Sequence, residues 1–271
     1  MAGCLPEYFP IVLAAWDAVM QDRAARGGGW QSTSGPAPLI VINGPIRDEL
    51  GINCTGGEDA AGFRPNATIP RALGLMLRNA FGVIPHVFDQ TTQGIPGRWA
   101  ICFGENEEES PWEPLAVEVG LTPGTDAVCA TLLRTCEFVD NRHTQDPEEL
   151  LADFADTISR TGAAIVPFSS AGLILGVEHA QMLAASGFAK RDVQQWLYDR
   201  CVRSHEDLAR AGKGLGGRTG PGIDEQGLHM LPSPEQLMVV VAGARNAAMS
   251  MVVRPFGFAG WSRTAVPIQR P

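Results

Sequence analysis

Residues 38–50 read PLIVINGPIRDEL. The apolar run PLIVIN, from Pro38 to Asn43, is short and lies between turn residues, which is typical of a buried β-strand. The glycine–proline turn at residues 44–45 follows it, and a short helix is predicted over residues 46–50. A strand, a tight turn and a helix in this order are the repeating unit of an α/β fold.

The same alternation continues along the whole chain. Strands are predicted at residues 38–43, 99–103, 127–133, 163–168, 173–176 and 237–243. Helices are predicted at residues 6–26, 46–50, 69–81, 147–162, 178–186 and 190–203. This alternation predicts an α/β fold with a mainly parallel sheet flanked by helices. We divide it near Asp146 into an Asn- and Glu-rich lobe (1–146) and a second α/β lobe (147–271).

The composition argues against several classes of function. The chain has 271 residues, of which 45% are hydrophobic and 19% are charged. Its 21 basic and 30 acidic residues give a formal net charge of −9, which repels the phosphate backbones of nucleic acids. No apolar run approaches the roughly 20 residues of a membrane-spanning helix. We therefore expect neither nucleic acid nor a membrane among the partners.

Cysteine and histidine usage predicts the cellular compartment and the absence of a metal site. The six cysteines and five histidines are dispersed without zinc-site spacing, and no CxxC pair occurs. The N-terminal sequence MAGCLPEYFP lacks the basic and then apolar segments of a signal peptide. We expect a reduced, cytoplasmic protein without a metal. Nothing in the sequence calls for a nucleotide, a flavin or another cofactor, so none is expected.

The sharpest local feature is the acidic sequence GENEEESPW at residues 104–112. It directly follows a predicted buried strand, and α/β sheets bind ligands at the carboxyl ends of their strands. A carboxylate shielded by Trp112 would have a raised pKa and could act as a general acid or base. The catalytic candidates here are Glu105, Glu107 and Glu108. The alternative is a solvated acidic turn that caps the helix starting at Pro111.

A second set of polar residues suits an anionic ligand. Asn53 lies in the glycine-rich loop at residues 51–64, a kind of segment that often lines sites. Asn43 ends a predicted strand, and Asn66 precedes a predicted helix. Helix N-termini and arginine forks bind carboxylate, sulfate or phosphate groups. The candidates of this set are Asn43, Arg47, Asn53, Asn66 and Arg71. The alternative is that the asparagines only satisfy turn and cap hydrogen bonds.

Two cysteines are alternative nucleophiles. Cys4 precedes a predicted helix, whose dipole would stabilise the thiolate. Cys54 lies in the glycine-rich loop. Cysteines are also common small core residues, so a structural role is the alternative for both.

A serine hydrolase is a further alternative. Ser169, Ser170, His179 and Asp192 supply the residue types of a catalytic triad, but no G-x-S-x-G sequence accompanies them. His179 lies on a predicted helix, where we expect a structural role.

Several long segments resemble the UGSC-like proteins, a bacterial family that includes selenoproteins. In the first half they are AGCLPEYFPIVLAA (2–15), IVINGPIRDELGIN (40–53), NATIPRALGLMLRNAFG (66–82) and CFGENEEESPWEPLAVEVG (102–120). In the second half they are GVEHAQMLAASGFAKRDVQQWLYDRC (176–201) and EQLMVVVAG (235–243). The resemblance covers most of the chain. It implies as site residues Asn43, Arg47, Asn53, Asn66, Arg71, Glu105, Asn106, Glu107 and Glu108, with Cys4 and Glu7 beside them.

The chain also departs from this family. The family's motif is a (C/U)GSC string in an upstream α/β domain, and the sequence contains no such string. The resemblance therefore implies one subunit of a split enzyme, or a relative that has abandoned the thiol chemistry. A split protein needs a partner chain to cover the sheet edge left bare by the missing domain. We expect a second protein subunit and hence a hetero-oligomer.

Three functions from different classes follow. In the first, the chain is a subunit of a biosynthetic enzyme of secondary metabolism. A glutamate among residues 105–108 deprotonates a small polar or anionic metabolite, while the asparagines and arginines bind its anionic part. Split relatives look similar to the two-chain aziridine-forming enzyme of azinomycin biosynthesis, in which an amine closes onto a neighbouring carbon and a sulfate ester departs. In the second, Cys4 performs redox or covalent catalysis with a thiol of the partner. In the third, the chain is a non-catalytic partner subunit.

Overall fold

The computed structural model describes residues 1–26, 28–58, 62–162, 169–220, 222–256 and 260–270. The strand predicted at residues 163–168 lies outside the described residues. The helices are α1 (Phe9–Val19), α2 (Arg23–Arg26), α3 (Ile46–Glu49), α4 (Arg64–Ala80), α5 (Leu115–Glu118), α6 (Pro147–Ile158), α7 (Val177–Ala185), α8 (Lys190–Arg200) and α9 (His205–Arg210). The strands are β1 (Ala37–Asn43), β2 (Cys102–Gly104), β3 (Ala127–Asp140), β4 (Gly172–Leu175), β5 (Val202–Ser204), β6 (Gly227–His229), β7 (Met238–Val241), β8 (Met249–Pro255) and β9 (Ala265–Pro267).

Seven of these strands form one mixed sheet. Its order is β2-β1-β3-β8-β4-β7, and β9 pairs with the first part of β3. The pairs β1·β2 and β4·β7 are parallel. The pairs β1·β3, β3·β8, β3·β9 and β4·β8 are antiparallel. The predicted α/β class is confirmed, whereas the expectation of a mainly parallel sheet is corrected to a mixed one.

The strand β3 explains this difference. It runs for 14 residues, which is twice the predicted length, and it lies at the centre of the antiparallel pairings. Its first half pairs with β1 and its second half with β8, and the register shifts between Leu133 and Thr135. Antiparallel strands need no helical crossover between them. The alternation of strands and helices in the sequence therefore does not indicate which strands pair in the antiparallel direction.

The core lies on both faces of the sheet, which is why β1 is buried along its whole length and apolar up to Asn43. Ile40 and Ile42 belong to the cluster that α1 and α4 cover. Leu39 and Val41 point to the other face and join a second cluster, which includes Phe103 of β2. Helices α6, α7 and α8 contribute to a third cluster with β4 and β7. The carboxyl end of β1 is therefore held rigidly by packing on both sides.

The sheet takes strands from both sides of residue 146, since β3 pairs with β8. The division of the chain into lobes 1–146 and 147–271 stays a prediction. Among the described residues, every helix is too short or too polar to cross a lipid bilayer.

Helix α4 begins at Arg64, before the predicted start at residue 69. Asn66 and Thr68 therefore lie in its first turns and do not precede it. The Thr68 hydroxyl donates to the Arg64 carbonyl at 2.8 Å, within the helix. The side chain of Asn66 is buried and turned toward the glycine-rich loop, where it contributes to the site described next.

Candidate functional site

The carboxyl ends of β1 and β2 lie side by side, because these two strands pair in parallel. Asn43 ends β1, and Glu105 comes directly after β2. The backbone N–H of Glu105 donates to the Ile42 carbonyl at 3.0 Å and extends the pairing. The acidic sequence and Asn43 thus meet at the edge of the sheet where α/β proteins place their ligands.

Glu105 is fully buried. Its Oε2 accepts hydrogen bonds from Asn43 Nδ2 and from the backbone N–H of Leu115, each at 2.7 Å. Its Oε1 has no hydrogen-bond partner among the described residues. Burial raises the pKa of this carboxyl group, and the positive charge of Lys190 opposes the shift. Glu105 therefore keeps its proton to a higher pH than an exposed glutamate does.

Asn43 joins Glu105 to a second glutamate. The same Nδ2 donates to Glu107 Oε1 at 3.0 Å, and the backbone N–H of Gly44 donates to that oxygen at 2.8 Å. The Glu107 side chain is 17% exposed, so it reaches solvent whereas Glu105 does not. Gly44 has a φ of +91°, and a Cβ there would lie 2.7 Å from the backbone of Asp126, so the turn requires glycine. One amide group thus links a buried carboxyl to a partly exposed one.

Arg47 is buried, and its guanidinium is engaged within the cluster. Its Nη2 and Nη1 donate to the two carboxylate oxygens of Glu108 at 2.8 and 3.1 Å. Its Nε donates to the Gly44 carbonyl at 2.9 Å, and Nη1 also donates to the Glu105 carbonyl. The hydrogen-bonded pair with Arg47 lowers the pKa of Glu108. The guanidinium has to leave Glu108 before it can bind an anion, so that role stays a prediction.

Asn53 and Asn66 hold the glycine-rich loop to α4. The backbone N–H of Asn53 donates to Asn66 Oδ1 at 3.0 Å, and Asn66 Nδ2 donates back to the Asn53 carbonyl at 3.0 Å. The Asn53 side chain accepts from the backbone N–H and the hydroxyl of Thr55 and donates to the Gly56 carbonyl. Both asparagines therefore position the loop, and a direct contact with substrate stays a prediction for each.

Asn106 connects the acidic sequence after β2 to β7, which is the strand at the other end of the sheet order. Its backbone N–H donates to the carbonyl of Val241, the last residue of β7, at 2.8 Å. Its Nδ2 donates to the Gly243 carbonyl at 3.4 Å, and the Gly243 N–H donates to the Cys54 carbonyl at 3.0 Å. The loops that follow β1, β2 and β7 therefore meet in one region.

Three of the candidates lie outside this cluster, and one of them, Glu7, is exposed in the 3₁₀ turn at Pro6–Tyr8. Arg71 is exposed on α4 and makes no hydrogen bond or ion pair with the cluster in the part of the chain that the structure describes. Cys4 is partly buried, and its Sγ donates to the Thr68 carbonyl at 3.3 Å. A 3₁₀ turn at Pro6–Tyr8 separates Cys4 from α1, so its thiol does not lie at the first turn of that helix.

A cavity of about 220 Å³ lies beside the cluster, at the carboxyl ends of β4 and β7. The glycine-rich loop, the turn after β7 and the start of β8 form its wall. The predicted catalytic glutamates do not line it, whereas Glu58 and Ser250 do. Sequence reasoning missed both residues. The glycine-rich loop was the only signal for Glu58, and Ser250 lies on a strand that the sequence did not predict.

Ser250 is held by His179 of α7. The Ser250 Oγ accepts the Gly176 N–H at 3.1 Å and lies 2.7 Å from His179 Nδ1. The His179 Nε2 lies 2.9 Å from the Asn141 carbonyl, which can only accept, so Nε2 carries the proton and Nδ1 accepts from Ser250. Burial lowers the pKa of His179, which favours this neutral form. The pair fixes the orientation of the Ser250 hydroxyl in the cavity wall.

Comparison of the chain with protein-family models, with curated proteins and with solved structures finds no match.

Proposed function

We propose that the chain is the acid–base subunit of a biosynthetic enzyme of secondary metabolism that acts on a small polar metabolite. The observation that carries the proposal is the shared amide of Asn43, which donates to both Glu105 and Glu107. Two neighbouring carboxyl groups in different environments are the usual arrangement for separate acid and base roles. Burial raises the pKa of Glu105, while Glu107 reaches solvent.

Glu107 is the general base in this proposal. It is partly exposed, and two N–H donors orient its Oε1, which leaves Oε2 for a substrate proton. Both oxygens of Glu108 accept from Arg47 and this pairing lowers the pKa of Glu108, so Glu108 is not the proposed base. Glu105, which is fully buried, is a positioning residue that acts through Asn43. In its protonated form it adds no second negative charge next to Glu107, and it fixes the Asn43 amide.

The concrete reaction is an intramolecular C–N cyclisation of the aziridine type, which the UGSC-like resemblance suggests. Glu107 takes a proton from the amine of the substrate, and the nitrogen lone pair forms a bond to a neighbouring carbon. The bond from that carbon to a sulfate-like leaving group breaks, and the leaving group departs with the electron pair. The products are the cyclic amine, the free anion and a proton held by Glu107.

Arg47 is the proposed cation for the leaving group. The Arg47 side chain is 3% exposed, whereas that of its partner Glu108 is 57% exposed, so the carboxylate can turn into solvent while the guanidinium stays in place. An incoming sulfate can therefore replace the Glu108 carboxylate on the bidentate guanidinium without leaving a buried charge unpaired.

A second protein subunit is part of the proposal. Helix α1 leaves Phe9 and Leu13 exposed on one face, and Trp16 of the same face stacks on the exposed Phe81 with ring centroids 5.4 Å apart. Exposed apolar surfaces of this kind are typical of protein interfaces. Co-purification with the product of the neighbouring gene tests this subunit, and the Leu13→Glu variant is expected to separate the two chains.

The reaction is tested with aminoethyl hydrogen sulfate, the simplest amine that carries a neighbouring sulfate ester. The chain is co-purified with its partner, and release of inorganic sulfate is measured. We expect Glu107→Gln to lower the rate by at least about 100-fold, as for loss of a general base. Glu225→Gln makes the same chemical change at an exposed position outside the cluster and should leave the rate unchanged. Equal rates for Glu107→Gln and the original protein would rule out Glu107 as the base.

A further inference from the structure

We propose that Lys190 is a positioning residue for the carboxyl cluster: it fixes the backbone N–H that binds Glu105 and places a positive charge near that carboxyl group. The Lys190 side chain is 3% exposed, and the residue is the first of α8. The inference deepens the proposed function, and only its consequence for catalysis rests on that function.

Lys190 binds the segment that leads into α5. Its Nζ donates to the Glu113 carbonyl at 2.7 Å and to Glu118 Oε2 of α5 at 3.2 Å. Glu105 binds the same segment two residues further on, since its Oε2 accepts the Leu115 N–H at 2.7 Å. The start of α5 is therefore held between the lysine and the buried carboxyl group.

Pro114 couples these two contacts. It stands between Glu113 and Leu115, with a φ of −60° and a ψ of 154°. The proline ring fixes φ, so ψ is the one soft torsion between the Glu113 carbonyl and the Leu115 N–H. The position of the Glu113 carbonyl therefore sets the direction of the Leu115 N–H, and Lys190 holds that carbonyl.

Helix α8 holds the second oxygen of Glu118 as well. Gln194 lies one turn after Lys190, and its Nε2 donates to Glu118 Oε1 at 3.2 Å and to the Leu237 carbonyl at 3.0 Å. Arg263 Nη1 lies 3.6 Å from the same oxygen of Glu118. Both carboxylate oxygens of Glu118 are therefore engaged, which keeps Lys190 in one orientation.

The energetics of the pair favour a positioning role over a stabilising one. Lys190 and Glu118 are both nearly excluded from solvent, with side chains that are 3% and 10% exposed. The desolvation of two buried charges often costs more than their attraction recovers. A lysine in the first turn of a helix also opposes the helix dipole. These two costs leave orientation as the main effect of the pair.

The charge of Lys190 also acts on Glu105. Burial raises the pKa of Glu105, and the positive charge of Lys190 opposes this shift, whereas the negative charge of Glu107 adds to it. Burial raises the pKa of the Cys129 thiol near Glu105, so this thiol stays neutral. Arg47 is paired within the carboxyl cluster. Lys190 thus supplies the positive charge that favours the ionised form of Glu105.

Infrared titration of the Glu105 carboxyl band, which is identified by its absence from Glu105→Gln, tests the proposal in the full chain. Lys190→Met removes the charge but keeps an unbranched side chain, and it should raise the titration midpoint by at least about 0.5 pH unit. Glu118→Gln removes the opposing charge and should lower the midpoint. Arg191→Met makes the same change at the next, exposed position of α8 and should leave the midpoint unchanged.

Amide hydrogen exchange tests the contact itself. Lys190→Met should accelerate exchange of the Leu115 N–H at least about fivefold, whereas Arg191→Met should not. Thermal unfolding shows whether each variant is folded. If Lys190→Met does not fold, it is combined with Glu118→Gln, which removes both buried charges. The midpoint of this double variant should lie above that of Glu118→Gln alone.

An unchanged midpoint in folded Lys190→Met would overturn the proposal, and so would shifts of the same sign in Lys190→Met and Glu118→Gln. Both measurements are made without substrate, so they are independent of turnover. The expected shifts without sulfate release from aminoethyl hydrogen sulfate would support this role of Lys190 and count against the proposed reaction.

Discussion

The backbone N–H of Asn106 donates to the carbonyl of Val241 at 2.8 Å. Asn106 follows β2 and Val241 ends β7, and these strands are the two ends of the sheet order. The two edge strands of the sheet, β2 and β7, are therefore joined at this hydrogen bond. The carboxyl ends of the parallel pairs β1·β2 and β4·β7 consequently face the same region. The carboxyl cluster and the cavity both lie there, although their residues come from distant parts of the sequence.

The pH dependence of stability tests the state of Glu105. Its pKa is raised in the folded protein, so the unfolded chain loses this proton first as the pH rises from about 4.3. The free energy of unfolding then falls as the pH rises through the folded-state pKa. Glu105→Gln keeps an acceptor for Asn43 and Leu115 but does not titrate. We expect the stability of Glu105→Gln relative to the original protein to increase with pH in chemical denaturation. If the free energies of unfolding of the two proteins change with pH in the same way, the pKa of Glu105 is not raised.

Asp22 is a structural carboxylate that should be sensitive to substitution. It is buried, and one oxygen accepts from the Ala24 N–H at 2.7 Å while the other accepts from the Thr131 hydroxyl and the Leu132 N–H, each at 3.0 Å. Asp22→Ala leaves these buried donors unsatisfied. We expect a loss of about 2–4 kcal/mol in the free energy of unfolding. Asp17→Ala, at an exposed position of α1, is the control and should change stability by no more than about 0.5 kcal/mol.

Asn66 should act on the glycine-rich loop through Asn53. Asn66→Ala removes both hydrogen bonds between the two residues. We expect a loss of about 1–3 kcal/mol in stability and faster amide hydrogen exchange at Asn53. Asn79→Ala, at an exposed position of the same helix, provides the control. Unchanged exchange at Asn53 would show that the asparagine pair does not hold the loop.

Thiol labelling tests the alternative based on cysteine. Burial raises the pKa of Cys54, and it raises the pKa of Cys201 to about 12. Since the thiolate is the reactive form, both should react with iodoacetamide more slowly than free cysteine in the folded protein and at a normal rate after unfolding. Mass spectrometry of the labelled peptides gives the rates. Labelling of Cys4 faster than free cysteine would instead support its role as a nucleophile.

The sequence predicts the parts of the fold that depend on local patterns. The position of β1 and the position of the acidic sequence after β2 are both predicted nearly correctly. A strand that is buried on both faces consists of a run of apolar residues, and the acidic residues come directly after such a run. The length of β3 and the whole of β8 are missed. Met249–Pro255 pairs with β3 and β4, and both partners lie more than seventy residues away in the sequence, so local patterns do not show these pairings.

The candidate site is predictable as a set of residues but not as an arrangement. Asn43, Glu105 and Glu107 come together because parallel strands align their carboxyl ends. The engagement of Arg47 by Glu108 depends on side-chain geometry that spacing does not give. The cavity depends on the meeting of the sheet edges, and no local sequence signal records that contact.

The most direct test of the central claim is the infrared spectrum of the Glu105 carboxyl group as a function of pH. We predict a carboxylic acid C=O band that titrates with a midpoint above the ordinary value of about 4.3 and that is absent from Glu105→Gln. Spectra of the original protein and of Glu105→Gln that coincide above that pH would show that Glu105 ionises like an ordinary glutamate. The proposal that Glu105 is a protonated positioning residue next to the base Glu107 would then be wrong.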